Sequence, residues 1–373
     1  MNRYITKISV NRLFHLGGFE IPVADDAFPH LIITGRNGSG KTVLLNAVAD
    51  YLESAKDGGA VDESKVSVEF SDAEGMVEQY GEGNFIVAFY QADRKSDMVE
   101  PKSPTKPVYS ITGGIKKTAT NQFLNFLSDL KIQEALARNE GQDKDADGIA
   151  GWFDDFEKLL SRIYQDENLK LEFNYKDYSF RICTEGKRFK FTEMSDGFAA
   201  VLDIVADLIL KMQSRDSPVR AYEKRGIVLI DEVETHLHLG LQKIVMPLLT
   251  QVFPNVQFVI TTHSPFVLSS MDNAVAFDLE HREVIGDLTD YSYDSLAEGY
   301  FGVRTESDYA QMQMDMLEGL LRKDVLSDSE RVAARQLMAD FEKVPESAAP
   351  MLVGQFRQMK MRFADRVKDV LGL

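Results

Sequence analysis

Hydrophobic and polar positions along the chain follow two different periods, which predict a protein that contains both strands and helices. Residues 4–23 alternate apolar and polar side chains around Gly17-Gly18, as in an antiparallel hairpin. Residues 31–34 are mostly apolar, as expected of a strand that is buried on both faces. Further strands are predicted at 66–70, 76–80, 85–90, 227–230, 256–260 and 275–279.

Segments with the apolar spacing of a helix lie between many of these strands. Helices are predicted at 43–52, 121–139, 152–164, 194–212, 241–253, 309–321 and 329–341. Strands that alternate with helices in this order favour an α/β fold with a mostly parallel, helix-flanked sheet, beside an antiparallel β part. Residues 169–191 alternate again, with a turn at Glu185-Gly186, and are predicted to be strands that return the chain to that sheet.

This pattern divides the chain into four expected regions. They are a first lobe at 1–94, a helical insertion at 95–168, a second lobe at 169–285 and a helical C-terminal region at 286–373. The insertion begins with a charged stretch at 95–107 that contains three prolines and is predicted to be a surface loop. A polar break at 141–148 separates its two helices.

Composition narrows the class of protein. The 373 residues are 44% hydrophobic and 27% charged, which is ordinary for a soluble protein. The single cysteine, Cys183, excludes an internal disulfide framework and points to a reducing compartment. No apolar window is long enough for a membrane span and no secretory leader pattern is present, so we expect a cytoplasmic protein without a membrane partner. The net charge of −17 argues against a globally basic, nucleic-acid-binding surface.

Residues 35–42, called the phosphate loop below, match the pattern G-x-x-x-x-G-K-[ST] between a predicted strand and a predicted helix. Glycines let the backbone turn successive N–H groups towards phosphate oxygens, at the positive end of the following helix. Lys41 is expected to reach the β- and γ-phosphates of a nucleotide, and the Thr42 hydroxyl to ligate Mg²⁺. The nucleotide-binding residues expected here are Gly35, Asn37, Gly38, Ser39, Gly40, Lys41 and Thr42.

A second motif is the apolar strand 227–230, which ends in two acids, Asp231 and Glu232. In a protein with a phosphate loop, such a strand is expected directly beside the loop-bearing strand, with Asp231 near Mg²⁺ and Glu232 within reach of the γ-phosphate. Glu232 then positions or deprotonates the attacking water. On its own, the same pattern would indicate only a strand with a polar end.

His263 follows the predicted strand 256–260, where the ligand sites of open α/β sheets collect. We therefore consider it a candidate for direct contact with the γ-phosphate. An alternative is that His263 binds zinc together with His236 and His238, but no cysteine or spaced acidic set completes such a site.

Ser195 and Gly197 open the predicted helix 194–212. A serine hydroxyl, a glycine and the free N–H groups of a helix start together form an anion-binding end, which suits a second phosphate contact. The simpler interpretation is that Ser195 is a helix N-cap.

The order of these motifs, with Gln91 at the end of the strand 85–90, resembles the ABC-type ATPase heads of the SMC, RecF and OLD-nuclease group. The resemblance extends over residues 4–280. It implies that the ligands are ATP and Mg²⁺, and that Gln91 couples Mg²⁺ and the γ-phosphate to the helical insertion. It also implies that Ser195 and Gly197 close over ATP held by a second copy of the chain, and that His263 is the switch histidine.

Two departures distinguish the chain from transporter heads. The signature reads MSDGF in place of LSGGQ, and His238 stands where the transporter D-loop carries Asp. The sequence DEVETHLH from Asp231 is instead similar to the D-E-x-E-x-x-L-H pattern of stand-alone AAA-family ATPases of bacterial anti-phage systems, such as Septu, PARIS and retron-associated ATPases. This resemblance implies an ATP-hydrolysing, self-associating sensor or assembly platform that controls a partner effector protein.

Three further interpretations stay open at this point. The chain is also similar to RecF-like DNA-repair ATPases, whose main act is ATP-gated DNA binding. A kinase would use the same phosphate loop but would leave Ser195 and His263 without a role. Finally, residues 143–154 match an EF-hand calcium loop at positions 1, 3, 5 and 6, with Asp154 in place of Glu at position 12, although a solvated acidic loop is the simpler interpretation.

Overall fold

The computed structural model describes residues 4–23, 29–56, 58–94, 96–103, 114–213, 224–286, 293, 295–296, 300, 308–345 and 349–371. The chain consists of two units, 1–296 and 297–373. The described part of the first unit contains all of the strands below, and that of the second contains helices alone. Among the described residues, no helix is both long and apolar enough to cross a membrane.

The strands that the described residues form begin with a hairpin, as the alternation of residues 4–23 predicts. They are β1 (Ile5–Val10), β2 (Phe19–Pro22), β3 (His30–Thr34), β4 (Val66–Phe70), β5 (Phe85–Tyr90), β6 (Lys170–Asn174), β7 (Ser179–Thr184), β8 (Lys187–Lys190), β9 (Arg225–Ile230), β10 (Val256–Thr261), β11 (Ala274–Asp278) and β12 (Glu283–Ile285).

Helices flank these strands in the first unit and make up the described part of the second. They are α1 (Lys41–Ala55), α2 (Ala73–Gly81), α3 (Phe123–Asn139), α4 (Asp143–Tyr164), α5 (Asp196–Met212), α6 (Leu239–Val252), α7 (Pro265–Leu268), α8 (Asp308–Leu321), α9 (Asp328–Glu342), α10 (Pro350–Arg362) and α11 (Ala364–Leu371). In the second unit, apolar side chains from α8 to α11 form a core of their own.

The central sheet has the strand order β12-β11-β3-β10-β9-β5. All neighbours pair in parallel except β12, which is antiparallel to β11 at the edge. Every residue of β3, β5 and β10 is buried, which explains their continuously apolar sequences. The prediction of a mostly parallel, helix-flanked sheet is therefore confirmed.

A smaller antiparallel sheet, β2-β1-β4, shares a core with α1 and β3. One buried side chain on β10 joins it to the central sheet: Gln257 Oε1 accepts a hydrogen bond from Ile5 N at 2.8 Å. The Gln257 Nε2 group donates to Ile5 O and to Pro29 O, both at 3.0 Å. The Gln257 amide thus pairs with β1 much as a neighbouring strand would.

Two strand predictions are wrong. Residues 76–80 belong to α2, because Asp72 caps that helix by accepting from Gly75 N at 3.0 Å, and because Met76 and Tyr80, four residues apart, are buried on one face. Strands β6, β7 and β8 form a separate antiparallel sheet instead of returning to the central one. Their short hairpins satisfy one another's hydrogen bonds, so they need no place in the larger sheet.

The calcium-loop interpretation of residues 143–154 is also wrong, as is the predicted polar break, because helix α4 begins at Asp143. Its acids Asp143 and Asp145 lie in the first turn, where negative charge stabilises a helix. Asp147 pairs with Arg138 at 3.0 Å rather than facing a cation site. Of the predicted loop 95–107, residues 96–103 contain no helix or strand, and Lys95 and 104–107 lie outside the described residues.

We predict that Gln257→Leu destabilises the first unit. The substitution keeps the volume of the side chain but leaves one N–H and two C=O groups without partners in a buried region, at a cost of about 2–4 kcal/mol. Urea unfolding followed by fluorescence measures this directly, because the only tryptophan, Trp152, lies in this unit. The control is Gln251→Leu on the exposed face of α6, for which a change within about 0.5 kcal/mol is expected. Equal stabilities of the two variants would contradict the role of Gln257.

Candidate nucleotide-binding site

The phosphate loop connects the buried strand β3 to α1, as predicted. Gly38 and Gly40 have φ angles of 84° and 100°, which side chains with a Cβ rarely adopt. A Cβ on Gly40 would also lie 2.8 Å from Leu16 Cδ1. Ser39 Oγ is buried and has no hydrogen-bond partner within the protein, as expected of a loop shaped around a polar ligand.

Lys41 lies inside this loop and is 5% exposed. Its Nζ donates hydrogen bonds to Gly35 O at 2.9 Å and to Arg36 O at 3.2 Å. Burial lowers the pKa of Lys41, and the nearby carboxylates of Glu232 and Glu234, among others, oppose that shift. The ammonium group is thus held by loop carbonyls, on the side of the loop that faces the acids.

The phosphate loop, the acid pair and His263 come together because three parallel strands end at one edge of the sheet. Strand β10 lies between β3 and β9, with Thr261 paired to Ile33 and Ile260 paired to Ile230. The prediction that the acid-pair strand lies directly beside the loop-bearing strand is therefore wrong. The residues that end β10 occupy the space between the two motifs.

Thr261, the last residue of β10, holds both acids of the pair. Its hydroxyl donates to Asp231 Oδ1 at 2.6 Å and accepts from Glu232 N at 2.8 Å. Glu232 has a φ of 44°, in the left-handed region, which costs a non-glycine residue about 1–2 kcal/mol. This threonine keeps Asp231 buried at the sheet edge and Glu232 turned out of the strand direction.

Glu234 fixes the segment that carries His263. Its carboxylate accepts from Thr262 Oγ1 at 2.8 Å and from His263 N at 2.5 Å. Burial raises the pKa of Glu234. Burial, and then the charge of Lys41, lower the pKa of His263, so its imidazole is neutral at neutral pH. A neutral imidazole can donate one hydrogen bond and accept another.

Ser195 occupies the N-cap position of α5, but its hydroxyl makes no capping hydrogen bond and the residue is exposed. Gly197 lies against the segment 231–238, called the acid-pair loop below: a Cβ on Gly197 would lie 2.7 Å from His236 O. The structure therefore brings the start of α5, at Gly197, next to the acid-pair loop of the same chain. Gln91 follows β5, which is the neighbour of β9, and its side chain is exposed.

The zinc alternative finds no support in the described part of the chain, where no group of three or more His, Cys, Asp or Glu residues is arranged to hold a metal ion. His238 instead caps α6, accepting at Nδ1 from Leu241 N at 3.3 Å. The oxygen donors expected for Mg²⁺, Thr42, Gln91 and Asp231, come after β3, β5 and β9 at the same edge of the sheet. Their chemistry fits that hard cation.

Sequence reasoning did not assign Thr261, Glu234 or Arg94 to the site. Arg94 comes shortly after Gln91, and its guanidinium reaches the backbone of the acid-pair loop, as described below. Only Glu234 carried a signal, as the second glutamate of the D-E-x-E pattern. The contacts of Thr261 and Arg94 depend on which strands are neighbours, which no local pattern reveals.

Helix α5 contributes two buried carboxylates behind the site. Asp207 accepts from Tyr90 OH at 2.6 Å and from Ala119 N at 2.8 Å. Asp203 accepts from Ser96 Oγ at 2.9 Å. Burial raises the pKa of Asp203 to about 6. These bonds tie the segment after β5 to α5.

Comparison with known proteins agrees with this geometry. A family model described as "AAA domain, putative AbiEii toxin, Type IV TA system" matches residues 120–269. The Septu protein PtuA of Bacillus mycoides (strain KBAB4) is 24% identical over 308 residues, which are 75% of this chain and 41% of that protein. The retron Vc95 probable ATPase of Vibrio cholerae serotype O1 biovar El Tor is 33% identical over 120 residues, 31% of this chain and 21% of that protein.

Other matches are shorter or more distant. The retron Ec83 probable ATPase of Escherichia coli is 37% identical over 82 residues, 22% of this chain and 15% of that protein. The chain thus spans less than half of the length of the curated relatives named here. Among solved structures, the SMC head bound to the C-winged helix domain of ScpA aligns with a TM-score of 0.41 and 14% identity, over 76% of this chain and 95% of that one.

The phosphate loop at the carboxyl edge of a mostly parallel sheet, followed in order by the acid pair and His263, gives the chain the fold and the motif order of P-loop ATPases of ABC type. The sequence is similar to the Septu and retron ATPases named above, the group that the D-E-x-E-x-x-L-H pattern indicates.

We predict that Asp203→Asn stabilises the first unit at neutral pH but not in acid. The folded-state pKa of about 6 exceeds the ordinary 3.8, so the folded state binds more protons and loses stability as pH rises from about 4 through 6. The full penalty is at most about 3 kcal/mol, and the asparagine avoids it.

The measurement is urea unfolding of both proteins at pH 4.5 and pH 7.5, followed by Trp152 fluorescence. Asp155→Asn, at an exposed position of α4, is the matched control. An advantage of Asp203→Asn that is the same at both pH values would show that the carboxyl is not destabilised by its burial.

Proposed function

We propose that the chain binds ATP and hydrolyses it at the edge formed by the phosphate loop, the acid pair and His263. The observation that carries this proposal is the Thr261 hydroxyl, which connects the Asp231 carboxylate with the Glu232 backbone. It holds one acid buried at the sheet edge and turns the other outward. An acid that only ended a strand would need no such arrangement.

Each residue then has a role in the reaction. Lys41 exchanges its loop carbonyls for β- and γ-phosphate oxygens, and the N–H groups of the phosphate loop bind the same phosphates. Thr42, Asp231 and Gln91 hold Mg²⁺, which neutralises charge on the β- and γ-phosphates. Glu232 orients or deprotonates the attacking water. His263, with its imidazole neutral, donates a hydrogen bond to the γ-phosphate.

We further propose that one chain supplies only half of each complete site. Ser195 is exposed at the start of α5 and its hydroxyl does not cap the helix, and Gly197, two residues on, lies against the acid-pair loop. A free hydroxyl and free helix N–H groups are suited to a phosphate that arrives from outside. The partner in this arrangement is a second copy of the chain that carries ATP on its own phosphate loop.

The cellular role that we propose follows from the relatives. The chain is similar in sequence to Septu and retron ATPases over the residues compared. We infer that the protein acts as an ATP-dependent sensor or assembly platform that controls an effector protein in bacterial anti-phage defence. Protection of bacteria from phage that requires both this protein and a neighbouring effector gene, and that Lys41→Ala abolishes, is the expected result. Protection that survives Lys41→Ala would count against ATP as the driver.

We predict that Lys41→Ala and Glu232→Gln separate binding from hydrolysis. Loss of the Lys41 ammonium removes the charge that faces the phosphates, so ATP affinity falls by at least about tenfold. Glu232→Gln keeps the shape of the side chain but cannot accept a proton, so ATP still binds while kcat falls by about 10²–10⁴-fold. Equilibrium binding of labelled ATP and phosphate release measure the two effects.

Lys243→Ala, on α6 and with its ammonium over the rings of Phe266 and Tyr293, is the control for a lost lysine. The proposed site is wrong if Lys41→Ala binds ATP as well as the unmodified protein, or if Glu232→Gln releases phosphate at an undiminished rate.

We predict that Ser195→Arg blocks the second half of the site. In a Glu232→Gln background, where ATP is bound but not consumed, native mass measurement is expected to show an ATP-dependent dimer. Adding Ser195→Arg removes the dimer and leaves ATP binding to the single chain intact, because the arginine side chain is too large for a close phosphate contact. Ser329→Arg, at an exposed serine of α9, introduces the same side chain as a control. A dimer that persists with Ser195→Arg rules out sharing of the site through Ser195.

A further inference from the structure

Arg94 is partly buried next to the acid-pair loop, and the hydrogen bonds of its guanidinium all go to backbone carbonyls, while its Nε is buried without a hydrogen-bond partner. Nη1 donates to Gln91 O at 3.1 Å and to Asp231 O at 3.0 Å. Nη2 donates to Glu232 O and to Val233 O, both at 3.3 Å. One side chain therefore holds three consecutive carbonyl groups of the acid-pair loop and one of its own segment.

Three consecutive carbonyls that point to one side need a donor there, because each is a strong acceptor and their dipoles repel one another. The left-handed φ of Glu232 produces this arrangement and is itself unfavourable. A guanidinium is suited to it because its N–H groups lie in one plane at fixed angles, whereas a lysine ammonium is a single point of charge.

Glu232 is thus held from both sides of its backbone. Thr261 Oγ1 accepts from its N–H, and Arg94 donates to its C=O. The two supports differ in what else they hold. Thr261 also binds the Asp231 carboxylate, whereas Arg94 contacts no side chain of the acid pair by hydrogen bonding. Loss of Arg94 therefore leaves Asp231 bound to Thr261 and frees the peptide that orients Glu232.

The position of Arg94 is fixed by its neighbours in sequence. Tyr90 and Ser96 flank it and bind the two buried carboxylates of α5, Asp207 and Asp203. The segment between them cannot move away without breaking these bonds. Burial lowers the pKa of Arg94, and the negative charges of Glu234 and Asp231, among others, oppose that shift.

We propose that Arg94 is a positioning residue for ATP hydrolysis, which holds the peptides of residues 231–233 so that the Glu232 carboxylate faces the attacking water. The inference rests on the proposed function, since it concerns the same site. It assigns to Arg94 an effect on the chemical step and not on nucleotide affinity. Arg94 touches neither ATP nor water in this role.

The experiment compares Arg94→Ala and Arg94→Lys with the unmodified protein. We expect kcat for ATP hydrolysis to fall on the order of 10- to 100-fold in Arg94→Ala, because a small misplacement of a catalytic group costs that much. KM and the Kd for labelled ATP are expected to stay within about threefold, as for loss of an interaction that acts in the transition state. Arg94→Lys recovers part of the loss at most. Arg162→Ala, at an exposed arginine bonded to Gln251, is the control.

Two further measurements distinguish a loss of Glu232 positioning from a general disturbance of the folded protein. Free guanidinium at about 20 mM, far below denaturing concentrations, is expected to raise the kcat of Arg94→Ala several-fold and to leave Arg162→Ala unchanged. In a Glu232→Gln background, Arg94→Ala is expected to reduce the residual rate by less than about threefold, since residues that act as a unit are not additive. If Arg94→Ala does not fold, Arg94→Lys is measured in its place. The kcat of Arg94→Lys is then expected to fall without a change in its Kd for ATP.

Each outcome bears on one proposal. If the unmodified protein releases no phosphate, the proposed function fails. If it does, and Arg94→Ala keeps kcat within threefold, only the role of Arg94 is overturned; where the alanine variant does not fold, an unchanged kcat of Arg94→Lys overturns it. The role is also overturned if the loss in Arg94→Ala is as large in the Glu232→Gln background as in the unmodified protein, or if it appears in Kd instead of kcat.

Discussion

Parallel pairing of β3, β10, β9 and β5 is the constraint on which the rest of the structure depends. Parallel strands all end at the same edge, so the residues that follow them meet there whatever their distance in sequence. The phosphate loop follows β3, His263 follows β10, the acid pair follows β9 and Gln91 follows β5. A change of strand order would scatter these groups even if every motif were intact.

Strand β10 lies between the strands that carry the phosphate loop and the acid pair, and it fixes the positions of the two motifs relative to each other. Because β10 separates β3 from β9, its last residues can reach both sides, and the Thr261 hydroxyl does so for the acid pair. The Glu234 carboxylate, which follows β9, in turn accepts a hydrogen bond from the backbone N–H of His263, which follows β10. Strands β9 and β10 are thus joined by side chains at their ends as well as by their ladder, and the acids and the histidine are fixed relative to each other.

Two cations of the chain offset part of the negative charge at this edge. Lys41 and Arg94 lie on different sides of the acids, one inside the phosphate loop and the other behind the acid-pair loop. Their partners are backbone carbonyls, which are weaker acceptors than phosphate or carboxylate oxygens. Lys41 can therefore exchange its carbonyls for phosphate oxygens at low cost. Arg94, enclosed by four carbonyls, has no such exchange available.

The sequence alone predicts the parts of this structure that local patterns encode. Short apolar runs indicate buried strands, and glycines at fixed positions indicate the phosphate loop. The segment 76–80 was ambiguous, since five residues satisfy both periods and only the Asp72 cap and the shared buried face decide for a helix. Acids at 143, 145 and 147 match a calcium loop and a helix start equally well. The contacts of Thr261 and Arg94 are set by strand order, which local sequence does not contain.

Gly197 connects the proposed second half of the site to the first. Because it lacks a Cβ, the start of α5 approaches the backbone of the acid-pair loop at His236. A phosphate bound at Ser195 would therefore press on the same loop whose other end carries Glu232. Thr261 and Arg94 hold that end of the loop by hydrogen bonds to the backbone of residues 231–233. A displacement at His236 would therefore act on a loop whose other end is fixed. Binding of a second copy would then act on Glu232 through the five residues 232–236 of one loop.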